Sequence, residues 1–198
     1  FCLIQKQKNE VDRMKKRKVI LVTDGDNVAR KAVEIATNKI GGRCISKSAG
    51  NPTPRTGKEI ITLIKDAKYD PVVVMVDDRG HQGEGKGEQA IRDIANSDEI
   101  DILGIIAVAS NTEGVIGAHV NFSVNNNGQI VNASVDKRGN SISGNIVYGD
   151  TVDIVDSISS PVVVGIGDPG KMGGRDNCEI GAPIITKAME EIIKRSSL

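Results

Sequence analysis

Four stretches of this chain are apolar or glycine at every position and do not alternate: Val19-Ile20-Leu21-Val22, Pro71-Val72-Val73-Val74-Met75-Val76, Ile102 to Val108 and Pro161 to Ile166. A strand with one wet face reads apolar, polar, apolar, so an unbroken Val/Ile run predicts a strand covered on both faces. The segments between the runs have helical spacing. Val28, Ala32, Ile35, Ala36 and Ile40 form one stripe, stopped by Gly41-Gly42. Thr56 to Lys68 places Ile60, Ile61 and Ile64 inward, a third helix passes through Ile91 and Ile94, and Pro183 suits the first turn of a last helix reaching Lys194. Buried strands joined through helices predict an α/β fold, a mainly parallel sheet with helices on both faces. Cys44-Ile45-Ser46 is read as a short additional strand.

The alternation breaks after the third long run. Val120 to Val124 and Ile130 to Val135 flank Asn125-Asn126-Asn127-Gly128, and Asn-Gly between apolar runs predicts an inserted β-hairpin. The polar stretch Asp136 to Asn145 reads as a mobile loop and Asp150 to Ile158 as a short helix. With no internal repeat and no boundary signal in 198 residues, the expectation is a polar, basic arm over 1–17 and a single domain over 18–198. The arm ends in Lys15-Lys16-Arg17-Lys18, and Phe1 in place of an initiator Met suggests a lost upstream segment.

Composition excludes several classes. Twenty-six basic and 26 acidic residues leave no net charge for gripping nucleic acid or an anionic bilayer. With no Trp, two Tyr and two Phe, base-stacking platforms are not expected. No apolar run approaches the length of a membrane span. Cys2, Cys44 and Cys178 are dispersed and odd in number, which reads as reduced thiols and not as a disulfide or zinc framework.

Chemistry is sought where ligands of open α/β sheets bind, beyond the carboxyl ends of the strands. Asp24 and Asp26 follow the first run, Asp77 and Asp78 the second, and Asp168 the last. Carboxylates gathered at one edge need neutralising, so these five are the candidate ligands of Mg²⁺ or Ca²⁺. They could equally be turn residues and helix caps. The loop Asp77 to Glu88 is the densest candidate: Gly83, Gly85 and Gly87 precede a helix N-terminus, where backbone N–H groups can meet an anion, and Arg79 or Lys86 could add counter-charge. Gly25 and Asn111 are further ligand-binding candidates at the same edge. The spacing is neither a P-loop nor a dinucleotide fingerprint, and no serine sits in a nucleophile elbow. His81, in the acidic loop, could be a ligand or an exposed residue, and His119 reads as structural. No catalytic residue is assigned.

The acidic loops after buried strands resemble the Toprim arrangement of primases and topoisomerases, within a sheet that is Rossmann-like or Toprim-like. Asp24/Asp26 stand where that family has a glutamate, and adjacent Asp77-Asp78 where it has a DxD pair. A resemblance over nearly the whole chain is carried by KRKVILVTDGDNVARKAVEIA, GGRCISKSAGNPTP, DPVVVMVDDRGHQGEGKGEQA, GIIAVASNTEGV, VYGDTVDIV and VVVGIGDPGKMGG…GAPIITKA. These segments resemble stage V sporulation protein AE, the soluble member of the SpoVA group of spore-forming Firmicutes. That resemblance implies a role in sporulation and germination, peripheral to the inner membrane of the developing spore. The expected partners are the membrane-embedded SpoVA channel proteins, which move dipicolinic acid with Ca²⁺. It implies no enzymatic activity and carries over no catalytic residue.

Overall fold

In the computed structural model, which describes residues 16–80 and 84–196, the unbroken apolar runs become neighbouring strands of one sheet. The chain runs β1 (Arg17–Val22), α1 (Asn27–Lys39), β2 (Arg43–Cys44), α2 (Gly57–Lys65), β3 (Val72–Met75), α3 (Lys86–Ala95) and β4 (Ile100–Val108). Six short strands follow: β5 (Ala118–His119), β6 (Phe122–Val124), β7 (Ile130–Val131), β8 (Ser134–Val135), β9 (Ser141–Ile142) and β10 (Ile146–Val147). The last elements are β11 (Val163–Ile166) and α4 (Pro183–Ser196). The main sheet has the order β2-β3-β1-β4-β11-β6-β7, parallel throughout except for β6 against β7.

Successive strand residues point to opposite faces, so each apolar run feeds two cores. Ile20, Val22, Val73 and Met75 pack under α1 and α4, together with Ala32, Val33, Ile185 and Met189. Val19, Leu21, Val72 and Val74 pack under α2 and α3, with Ile60, Ile64, Ile91 and Ile94. All sixteen are fully buried. At about 1.5–3 kcal/mol for each large aliphatic side chain, the two layers supply the main drive for this topology. From β1 the chain moves toward β2, and from β4 it moves toward β11. The strand order therefore reverses between β1 and β4, and a crevice opens above their carboxyl ends.

Several segments differ from the sequence expectation for local reasons. β2 ends at Cys44, and Ser46–Ser48 is a 3-10 turn. The Ser48 hydroxyl donates to the Ile45 carbonyl (2.8 Å) and accepts from the Met75 N–H (3.0 Å), replacing a further ladder bond. α2 starts on a capping box between Thr56 and Glu59 but stops at Lys65, short of Lys68. The Arg17 guanidinium takes up the carbonyls of Lys65 and Ala67, so Arg17 is a strand residue anchored in the domain. The Asn-Gly hairpin is present as β6–β7, with the Asn125 carboxamide oxygen accepting from the N–H of Asn127 and Gln129 and Gly128 at φ +74°. Its first strand, β6, also pairs in parallel with β11 and so joins the hairpin to the main sheet.

Residues 136–145 hold the hydrogen-bonded turn and the second strand of the β8–β9 hairpin in place of an irregular loop. The Asp136 carboxylate accepts from the N–H of Arg138 and Asn140 inside the β8–β9 turn. Residues 150–158 contain only a 3-10 turn at Val155–Ser157. Thr151 at φ +60° breaks a helix there, and the carboxylates of Asp153 and Asp156 are taken up by the N–H groups of Ile116, Gly117 and His119. Among the described residues no helix is long and apolar enough to cross a membrane. His81, Gly83 and the arm through Lys15 lie outside the described residues.

Candidate functional site

The crevice above β1 and β4 is a cleft of about 410 Å³, inside the range of small-molecule sites. Its floor begins at Thr23, whose hydroxyl accepts the Val108 N–H (3.0 Å) and ties the β1 loop to β4. Gly25 is required by close approach: a Cβ there would lie 2.3 Å from the Gly50 carbonyl oxygen. Its N–H donates to the Asp77 carboxylate (3.2 Å), joining the β1 and β3 loops. Asp24, Asp26, Asp77, Asp150 and Asp168 line the cleft, as do Arg79, Asn111, Lys137 and Lys171.

Asp24, Asp26 and Asp168 each offer a carboxylate oxygen within 4.8 Å of the others, a set that could hold a hard cation. The chain supplies its own cation to the same set. The Lys171 ammonium donates to Asp26 at 2.6 Å and to both oxygens of Asp168 at 3.1 Å, and Lys137 stands 3.7 Å from Asp168. Asp26 is also the N-cap of α1, accepting from the N–H of Val28 (2.7 Å) and Ala29 (2.9 Å). The helix-cap reading and the cluster reading of Asp26 therefore both hold.

The environments push the carboxyls apart in acidity. Burial, reinforced by the charges of Asp26, Asp168 and Asp77, pushes Asp24 up to about 7 against one bond from the Asp26 N–H. Asp26 goes the other way: burial is outweighed by Lys171 and the N–H groups of Ala29 and Val28, which hold it below the ordinary carboxylate range. Asp77 is pushed up to about 6, first by burial and then by facing Asp150. Burial lowers the Lys171 ammonium, but Asp26 and Asp168 more than reverse this and hold it above the usual lysine range. Asp24 is thus about half protonated at pH 7 while Asp77 is largely ionised there, and Asp26 and Asp168 share the Lys171 ammonium.

Asp77 and Asp78 do not act as a pair. Asp77 faces the cleft, while Asp78 turns to the N-terminus of α3 and accepts from the N–H of Gly87 and of Glu88 (3.1 Å). Gly85 and Gly87 permit this packing, since a Cβ at either would meet Asp78 or the Asp77 backbone below 3 Å. The anion at this glycine-rich helix start is therefore the protein's own carboxylate. Burial still raises the Asp78 pKa, and Glu88 beside it is pushed up to about 7 by burial and then by Asp78, Asp153 and Glu84. Lys86 is exposed and does not line the cleft, whereas Arg79, Gly25 and Asn111 are at or on it.

Lys171, Lys137 and Asp150 are site residues that the sequence reading passed over. Lys171 was within reach of pattern, three positions after Asp168 at a strand end. Lys137 lies in the β8–β9 turn and Asp150 just after β10, and long-range bonds seat both: the Asp168 N–H donates to the Lys137 carbonyl (2.9 Å), and the Gly80 N–H to the Asp150 carboxylate.

Comparison with known proteins gives one finding. No curated protein and no solved structure matches the chain. The family model described as stage V sporulation protein AE1 matches residues 18–196, which includes every strand-end loop of the cleft. The chain belongs to the stage V sporulation protein AE1 family.

Proposed function

We propose that this sporulation protein is a non-enzymatic accessory or regulator of the spore inner-membrane channel that moves Ca²⁺ and dipicolinic acid, and that it acts by binding a small ligand in the cleft. The family supports the sporulation role. The observation favouring binding over catalysis is the internal neutralisation of the cleft acids: Lys171 bridges Asp26 and Asp168, and burial raises Asp24 to about 7. The protein would work at the spore inner membrane, in contact with the membrane-embedded SpoVA proteins. The test is co-purification of a tagged chain with those proteins from detergent-solubilised spore inner membranes. Specific recovery of the channel subunits is expected, and their absence from every eluate would remove the accessory role.

A second reading, a divalent-cation binding domain, is favoured by the Asp24, Asp26 and Asp168 oxygens lying within 4.8 Å. It requires Ca²⁺ or Mg²⁺ to displace Lys171. Toprim-type Mg²⁺-dependent phosphoryl transfer ranks last, because Asp78 turns away from the cleft to cap α3.

A further inference from the structure

The cleft's carboxylates and its donors are in opposite states. Each carboxylate is already engaged: Asp24 by the Asp26 N–H, Asp26 by Lys171 and two helix N–H groups, and Asp77 by the N–H of Gly25 and Arg79. Asp150 is engaged by the Gly80 N–H and Asp168 by Lys171. The donors at the mouth are not spent. Among the described residues the side chains of Asn51, Arg79 and Asn111 have no hydrogen-bond partner, and the Lys137 ammonium, 3.7 Å from Asp168, is beyond hydrogen-bond reach. These four come from four different loops, those after β2, β3 and β4 and the β8–β9 turn, and all line the one cleft.

Lys137 is held there by its backbone. Its carbonyl accepts from the Asp168 N–H, and a Cβ on Gly167 would lie 2.6 Å from the Gly139 nitrogen. The turn carrying Lys137 is thus seated directly on the end of β11. Arg79, which lines the cleft from the β3 loop, sits at φ +56°, a left-handed conformation uncommon for a residue with a side chain.

We infer that the cleft selects an acceptor-rich small molecule carrying an oxyanion, carboxylate or phosphate, gripped by Arg79 and Lys137 and oriented by the carboxamides of Asn51 and Asn111. This rests on the cleft being the binding site, and it reverses the expectation that the acidic edge takes a bare cation. Unspent N–H donors, two of them charged, match an oxyanion, whereas a metal at Asp24, Asp26 and Asp168 would have to displace Lys171 from two of its three ligands.

The test is calorimetric titration of the full chain with three probes: inorganic phosphate, malonate, and CaCl₂ alone. Phosphate or malonate should bind, and the stronger of the two identifies the source of the oxyanion. Arg79→Ala and Lys137→Ala should each weaken that binding roughly tenfold or more, the scale of a charged hydrogen bond. Lys58→Ala, on the exposed side of α2, should leave it unchanged. Both cleft variants remove exposed side chains outside the cores, and identical circular dichroism would confirm that they fold. Calcium binding alone, abolished by Asp168→Asn, would keep the cleft as a site but overturn the oxyanion. Binding equal in wild type and both cleft variants would overturn the grip, and no binding of any probe would overturn the inference and the cleft reading together.

Discussion

Replacing Asp24 by Asn isolates the proton that the fold retains at the floor of the cleft. Burial among Asp26, Asp168 and Asp77 pushes the Asp24 carboxyl from 3.8 to about 7. Between those values the folded protein holds a proton that the unfolded chain has released, so stability falls as pH rises through the window and levels off above it. At about 1.4 kcal/mol per unit the full shift corresponds to roughly 4 kcal/mol, and solvent at this partly exposed side chain reduces it to about 2 kcal/mol. Asn keeps an oxygen for the Asp26 N–H and carries no charge. The variant should match wild type at about pH 4.5 and exceed it by about 2 kcal/mol at about pH 8.5, or roughly 4–8 °C for a chain of this length. Urea unfolding across that range, with EDTA present to exclude metal, measures the difference. Asp77, pushed up to about 6, leaves a residual slope in both proteins. Parallel pH profiles with a constant offset would refute the reasoning, because they would place Asp24 at an ordinary acidity.

Three further outcomes follow from named contacts. Lys171→Ala should lower stability by roughly 1–2 kcal/mol, between the values for exposed and buried ion pairs, and should create a Ca²⁺-dependent rise in melting temperature where wild type shows less. A thermal scan with and without CaCl₂ checks both effects. Gly25→Ala should cost roughly 1–3 kcal/mol in chemical unfolding, since its Cβ would overlap the Gly50 carbonyl. Asp176→Ala should cost about 2–4 kcal/mol and fray the start of α4 in amide exchange, because this fully buried carboxylate receives the N–H groups of Gly170, Ile184 and Ile185.

What the sequence made legible follows its periodicity. Val19 to Val22 and Val72 to Val76 are so uniformly apolar that only a sheet covered on both faces accommodates them, and the structure buries them between two helix layers. The placement of Asp24, Asp77 and Asp168 at one edge followed, because parallel strands put all their carboxyl ends on the same side. Side-chain direction after the strand end was not legible. Asp77 and Asp78 are adjacent in sequence, yet one faces the cleft and the other caps α3, a choice set by how closely Gly85 and Gly87 at the start of α3 pack on the β3 loop. Nor could spacing reveal that a lysine occupies the place proposed for a metal, or that the polar stretch after Val135 folds into a turn delivering Lys137. Both depend on contacts between segments 30 to 145 residues apart, as with Lys171 and Asp26.

Whether this cleft is where the family member meets its ligand is answered most directly by amide chemical shifts. A ¹⁵N-labelled chain titrated with Ca²⁺, Mg²⁺, dipicolinate and nucleotides should show saturable changes for at least one of them. Those changes should be confined to the loops bearing Asp24, Asn51, Arg79, Asn111, Lys137 and Asp168. Changes centred on the outer faces of α2 or α4, or none with any compound, would contradict the account.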